Sequence, residues 1–272
     1  MRIGLVQMAV VDGDVEANVA KAEGFIRQVA AERPDVVLLP ELWTTGYTCE
    51  RWSEIAERQT PQVMVRLAAL ARETGVTIGG TMVTQRDDGA LANRFTLTTP
   101  SGEVTASYDK SHLFSPMREK EFLAPGTARV HAQVPTSSET PGRTTTTALS
   151  ICYDLRFPGM YRASAHEGAE LYLVASAWPQ PRCAILRTLA TARAMENQAF
   201  LALSNRVGPA ADGTTFCGGS MVVAPAGEIL LDLGGSDEGV GVAEVKMRTV
   251  TMARSMLAVL EDDIELVGSL IA

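Results

Sequence analysis

Three short stretches carry residue types that can do covalent chemistry together. Val36-Val37-Leu38-Leu39 runs into Pro40-Glu41, residues 103–108 run into Asp109-Lys110, and residues 144–151 run into Cys152. Each stretch reads as a strand that breaks into a reactive group, the pattern of a strand delivering a side chain at its end. A free cysteine has a pKa of about 8.5, so Cys152 needs a base and a nearby positive charge to act as a nucleophile. Glu41 can take the proton, and Lys110 can stabilise both the thiolate and a later oxyanion. Each residue alone also has an ordinary reading. A strand-end cysteine is a core thiol, a glutamate after proline is a loop carboxylate, and a lysine after aspartate is a solvated charge. Joint placement favours chemistry, because groups at the carboxyl ends of neighbouring strands in an α/β sheet converge on one crevice.

The elements that must position these groups alternate along the chain. Residues 3–8 read as a first strand. Val15, Val19, Ala22, Ile26 and Val29 recur at helical spacing, so residues 15–30 form an amphipathic helix that stops near Arg33, before Pro34. Residues 36–39 form a wholly apolar strand of the kind buried on both faces. A helix over residues 61–74 and a strand over 76–85 follow. Strands 94–99 and 103–108 flank Pro100-Ser101-Gly102, a hairpin signature. A strand near 129–134 leads into a turn-rich loop at 135–143, and then comes the Cys152 strand, including the threonine run 144–147. Residues 160–167 form a helix, 171–175 a strand, and 182–197 a helix with Ile185, Leu189, Ala192 and Met195 on one face. Strands at 199–204, 220–224, 229–233 and 240–245 complete the pattern. This mixture suggests a layered α/β protein with mixed sheets. About twelve strands are many for one open sheet, so two stacked sheets with helices outside are expected.

The bulk properties exclude several function classes. A chain of 272 residues with 46% hydrophobic content and no compositional boundary suits one domain, 1–272. A net charge of −8 argues against nucleic acid as a partner, because phosphate binding needs a basic surface. The first residues lack the apolar run of a signal peptide, and no stretch approaches the roughly 20 apolar residues that span a bilayer. No membrane partner and a cytoplasmic location are the expectation. The four cysteines (49, 152, 183 and 217) form no C-x-x-C pair and lack neighbouring histidines, a spacing wrong for zinc or a disulfide scaffold. Only His112, His131 and His166 could complete a Cys–His dyad. Neither glycine-rich nucleotide motif occurs, so no nucleotide cofactor is expected, and the cysteine spacing predicts no metal.

The words around the three groups carry a resemblance. Leu38-Leu39-Pro40-Glu41-Leu42-Trp43-Thr44-Thr45-Gly46-Tyr47, Tyr108-Asp109-Lys110-Ser111-His112-Leu113-Phe114 and Ile151-Cys152-Tyr153-Asp154-Leu155-Arg156-Phe157-Pro158 resemble the three signature blocks of the nitrilase (carbon–nitrogen hydrolase) superfamily. Residues 191–198, Asn205-Arg206-Val207-Gly208, and Gly219-Ser220 followed by Pro225-Ala226-Gly227 match further. The resemblance implies a four-layer α-β-β-α sandwich with two mixed sheets and a Glu41–Lys110–Cys152 triad without metal. It also implies a second glutamate after the lysine block. Counting back from Pro125-Gly126 favours Glu119, with Glu121 the alternative. Tyr47, Tyr153 and Trp178 are implied to line the substrate site. A homodimer or higher oligomer is implied too, with the segment from about 247 at its interface.

The residues after the cysteine separate branches of that superfamily. Tyr153-Asp154-Leu155-Arg156-Phe157-Pro158 looks like the amidase branch that holds omega-amidases and deaminated-glutathione amidases, where nitrilases carry Trp-Glu. Ala175-Ser176-Ala177-Trp178-Pro179 looks like the pocket segment of omega-amidase-like proteins. The implied substrate is a small amide with a carboxylate at its other end, such as the amide of a 2-oxo dicarboxylic acid. Arg156 or Arg182 can pair with that carboxylate, although for Arg156 a structural salt bridge with Asp154 or a nearby acid is the favoured expectation. Gly159-Met160 stands where this branch often has Glu-Leu, a departure that touches substrate identity rather than the triad. An N-carbamoyl amino acid amidohydrolase, a nitrilase, and a non-catalytic binding protein on the same fold remain open.

Overall fold

The computed structural model describes residues 1–136 and 142–264. In chain order the first half contains β1 (Arg2–Gln7), α1 (Val15–Ala30), β2 (Val36–Leu38), α2 (Trp52–Arg58), α3 (Thr60–Thr74), β3 (Thr77–Gln85), β4 (Leu91–Thr98), β5 (Val104–Asp109) and the short α4 (Glu119–Phe122). The second half contains β6 (His131–Pro135), β7 (Thr144–Ile151), α5 (Pro158–His166), β8 (Leu171–Ser176), α6 (Cys183–Glu196) and β9 (Phe200–Asn205). Next come β10 (Val207–Pro209), β11 (Thr215–Cys217), β12 (Met221–Val223), β13 (Ile229–Asp232), β14 (Gly239–Glu244) and α7 (Arg248–Met256).

Side-chain alternation along the first strands explains the layering. Ile3, Leu5, Val36 and Leu38 enter a core shared with the second sheet, whereas Val6, Val37 and Leu39 face a helical layer built from α1, α2 and α3. The first sheet runs β14-β1-β2-β3-β4-β5 and the second β13-β12-β9-β8-β7-β6, both mixed. They stack with β1 over β9, β4 over β7 and β5 over β6, and α5 and α6 cover the outer face of the second. The result is the four-layer α-β-β-α sandwich with two mixed sheets. Asp14 caps α1 by accepting from the Ala17 N–H at 3.0 Å, and α3 ends on left-handed Gly75.

The expected elements form with small shifts at their ends, and two details differ. On α6 the buried residues are Leu186, Ala190, Arg193 and Ala194, while Ile185 and Met195 are exposed. A buried arginine displaced the apparent stripe. Arg193 lies over the Tyr161 ring, donates from Nε to the Leu155 carbonyl at 3.0 Å and pairs with Glu196. The short α2, β10 and β11 and the C-terminal α7 carry too little periodicity to be read from sequence. In the loop at 135–143, residues 137–141 lie outside the described residues, as do 265–272 of the C-terminal segment. No helix among the described residues is long and apolar enough to cross a membrane.

Candidate active site

The three reactive groups do meet, but across the two sheets rather than at neighbouring strands of one. Glu41 follows β2 and Lys110 follows β5 in the first sheet, while Cys152 follows β7 in the second. Face-to-face stacking brings their strand ends together, which the sequence reading of one shared crevice missed. Lys110 Nζ donates to Glu41 Oε1 and to Glu119 Oε1, each at 2.7 Å, with all three side chains fully buried. Glu119 is thus the second glutamate of the cluster. Glu121 lies on the surface and pairs with Arg118.

Surrounding donors lock both carboxylates. Asn93 Nδ2 donates to Glu41 Oε1 at 2.9 Å, and the Ala177 N–H donates to Oε2 at 3.0 Å. Tyr47 Oη donates to Glu119 Oε1 at 3.1 Å, and the Phe114 N–H donates to Oε2 at 2.7 Å. Burial works against the Lys110 ammonium, but Glu119 and Glu41 outweigh it and raise its pKa well above the ordinary value. Burial also pushes the Glu119 carboxyl up, against a smaller opposing pull from Lys110.

The Cys152 thiol lies beside the Glu41 carboxylate, Lys110 and the Ala177 N–H. Burial first, then the Glu41 charge, push it well above the ordinary cysteine value; Lys110 and the Ala177 N–H oppose this more weakly. Loss of solvation on burial, together with the neighbouring Glu41 charge, disfavours a free thiolate at rest. A thiol so placed can give up its proton as it attacks, and the adjacent Glu41 carboxylate is the group placed to accept it.

Three non-glycine residues adopt left-handed backbone at this centre. Leu42 (φ 46°) follows Glu41, Arg118 (φ 62°) precedes Glu119, and Cys152 itself has φ 44°. Each such conformation costs on the order of 1–3 kcal/mol and persists where the surroundings enforce it. At Cys152 it turns the chain out of β7 into a single 3-10 turn, Cys152–Arg156, as a strained strand-to-helix elbow lifts a nucleophile above a sheet.

A narrow cavity of about 20 Å³ touches Cys152 and is walled by Tyr153, Arg156, Trp178 and Arg182, among others. That is room for about one water molecule. Arg156 sits over the Trp178 ring at 5.1 Å and does not pair with Asp154. Among the described residues neither Arg156 nor Arg182 forms a salt bridge. Tyr153 and Trp178 thus stand at the cavity, whereas Tyr47 is set back against Glu119, its ring stacked on Phe216. No group of three or more metal-binding side chains occurs among the described residues.

Sequence reasoning missed Asn93, the Ala177 N–H and the partners of Asp154. The Asp154 carboxylate is buried, accepting from the Ile151 N–H (2.9 Å), Tyr108 Oη (2.7 Å) and the His112 N–H (3.0 Å), with His112 Nδ1 at 2.7 Å. The scarcity of histidine was the one available signal. Asn93 offered none, lying inside β4 and outside the three quoted blocks.

Comparison with known proteins places the chain in a family. The family model for the carbon–nitrogen hydrolase matches residues 2–255. A 2-oxoglutaramate amidase from Bacillus subtilis (strain 168) is 32% identical over 260 residues, covering 96% of each chain. An omega-amidase from Escherichia coli (strain K12) is 34% identical over 230 residues, covering 85% of this chain and 84% of that one. Among solved structures, a variant of the amidase from Nesterenkonia sp. AN1, whose active-site cysteine has taken up acrylamide by Michael addition, superposes with a TM-score of 0.81. It is 30% identical and covers 95% of this chain and 98% of its own. With a family match spanning nearly the whole sequence and a buried carboxylate–ammonium–thiol cluster at its centre, the chain belongs to the carbon–nitrogen hydrolase family.

Proposed function

We propose that the protein hydrolyses the terminal amide of a small dicarboxylic acid monoamide, with a 2-oxo acid as substrate, through a thioester on Cys152. Cys152 Sγ bonds to the amide carbon as its proton passes to Glu41. The resulting oxyanion is stabilised by the Lys110 ammonium and the Tyr153 N–H, which lies in the first turn after β7, where amides lack intrahelical acceptors. Glu41 returns the proton to the departing nitrogen, ammonia leaves and the thioester remains. Glu41 then takes a proton from water as it attacks the thioester, and gives it back to sulfur as the acid departs. Glu119, with Tyr47 behind it, holds Lys110 in place and is within reach of the amide. The reaction as written needs neither metal nor cofactor.

The observation that carries the substrate class is the pair of arginines at the cavity. Arg156 and Arg182 share the wall with Cys152 and have no carboxylate partner among the described residues. A guanidinium left without a partner beside an apolar wall suits a ligand carboxylate. The similarity to a 2-oxoglutaramate amidase supports the same choice. A five-carbon acid needs the cavity to widen, and the Arg182 side chain, exposed and unpaired, is free to swing.

Ammonia release from a panel of amides, N-carbamoyl amino acids and nitriles tests this reading. The carboxylate-bearing amide is expected to turn over fastest. Arg156→Gln and Arg182→Gln are expected to raise its KM by roughly 10-fold or more between them, the scale of one charge-assisted hydrogen bond. A neutral amide should lose little. Turnover of nitriles alone, or of N-carbamoyl compounds alone, contradicts the amide assignment; no turnover at all leaves the binding-protein alternative.

The chain is further proposed to act as one catalytic domain in the cytoplasm, where its four free cysteines stay reduced, and to pair with a second copy. Support for pairing comes from Met252, Met256 and Leu257 on and after α7, all exposed, and from exposed Ile185 and Met195 on α6. A monomer by light scattering at micromolar concentration rejects the dimer.

A further inference from the structure

The nucleophile and its cationic partner come from different sheets, so their separation depends on whatever joins the two halves of the site. The Cys152 turn is tied to its own layer by Arg193 of α6, which donates to the Leu155 carbonyl at 3.0 Å. That bond says nothing about where Lys110 stands. Asp154 supplies the connection across. Its Oδ2 accepts from the Ile151 N–H at 2.9 Å, immediately before Cys152, and from Tyr108 Oη at 2.7 Å, two residues before Lys110. Its Oδ1 accepts from the His112 N–H at 3.0 Å, two residues after Lys110, and lies 2.7 Å from His112 Nδ1. One buried carboxylate therefore brackets Lys110 from both sides and caps the turn that carries Cys152.

The surroundings make this joint rigid. Burial, followed by the Asp154 charge, pushes the Tyr108 hydroxyl far above its ordinary pKa, so Tyr108 stays a donor. The His112 ring stacks on Phe157 with centroids 3.6 Å apart and planes 7° from parallel. Phe157 in turn closes the Cys152 turn through its N–H to the Asp154 carbonyl at 2.9 Å. Tyr153 meets Phe157 edge-on at 5.3 Å, which ties the proposed oxyanion N–H to the same unit. His112 is partly exposed at the rim of an outer hollow shared with Tyr153 and Phe157.

We infer that Asp154 and His112 are positioning residues for the reaction, holding the Cys152 turn in register with Lys110 across the two sheets. They touch no reacting atom. Their effect is to fix the distance over which the Lys110 ammonium meets the oxyanion formed at Cys152. An error of about 1 Å in such a distance can cost on the order of 100-fold in rate, whereas binding of the substrate's far end is unaffected. The inference rests on Cys152 and Lys110 carrying the chemistry.

Two substitutions at His112 separate positioning from mere packing, because the residue is partly exposed and its loss should leave the fold intact. His112→Phe keeps a ring against Phe157 and removes the Nδ1 donor. His112→Asn places an amide N–H close to where Nδ1 was. With the carboxylate-bearing amide, His112→Phe is expected to lower kcat roughly 10- to 100-fold with KM changed by less than about threefold. His112→Asn is expected to restore most of that loss, and Asp154→Asn to lower kcat at least as far as His112→Phe. Thermal melts of the two His112 variants should stay close to the parent. Parental kcat in His112→Phe, or a loss that His112→Asn does not restore, overturns the inference. An active Cys152→Ala overturns instead the reading on which it rests.

Discussion

Replacing Cys152 by alanine is expected to reduce ammonia release from the preferred amide by at least about 10⁴-fold in kcat, the scale seen when a covalent nucleophile is removed. Glu41, Lys110 and Glu119 would remain in place, because their mutual bonds do not pass through the sulfur. What is lost is the group that forms the bond to carbon; a water molecule in its place would have to attack an amide with no covalent intermediate. The fold should survive. Cys152 is buried, but removing one sulfur atom leaves a small cavity worth about 1 kcal/mol. Its left-handed backbone is enforced from outside, by the Asp154 cap and by β7, rather than by the thiol. A melting curve beside the activity assay separates the two outcomes. Retention of more than about one per cent of parental kcat would contradict a covalent role.

Lys110→Met carries the second large effect, on stability as well as rate. Glu41 and Glu119 lie fully buried on the same ammonium. Removing it leaves two carboxylates facing a shared hole without their cation, and breaking a buried ion pair in this way costs about 3–5 kcal/mol. That is a large part of the roughly 5–15 kcal/mol that holds a domain together. The melting temperature should fall by several degrees. The loss of the oxyanion's cation should also cost roughly 10²–10³-fold in kcat. Adding Glu119→Gln removes one of the stranded charges, so the double variant is expected to melt above the single one while remaining inactive. If Lys110→Met melted with the parent protein, the pairing of Lys110 with both carboxylates would be wrong.

Much of the site was legible because its reactive residues sit directly after stretches that read as strands. Glu41 after β2, Lys110 after β5 and Cys152 after β7 are such cases, and the superfamily resemblance, counted back from Pro125-Gly126, favoured Glu119 over Glu121. The assignment of those strands to two different sheets was not legible, since an apolar run does not say which sheet it joins. Nor was the buried face of α6, where Arg193 fills a core position through its long apolar stem and its bond to Leu155. Asp154 offered itself as a partner for neighbouring Arg156. Its carboxylate is instead taken by Ile151, Tyr108 and His112, the last 42 residues away in sequence, which leaves the Arg156 guanidinium at the cavity. Pairings of that kind depend on how the sheets stack, and local pattern does not encode it.

In the proposed reaction an acyl group is carried on Cys152. Mixing the enzyme with its preferred amide, quenching in acid and measuring the mass of the Cys152 peptide tests it directly. This peptide is expected to gain the mass of the acyl portion of the substrate without the amide nitrogen, the adduct to disappear as turnover ends, and Cys152→Ala to gain nothing. An adduct on Cys49, Cys183 or Cys217, or turnover with the Cys152 peptide unmodified at every quench time, would contradict it.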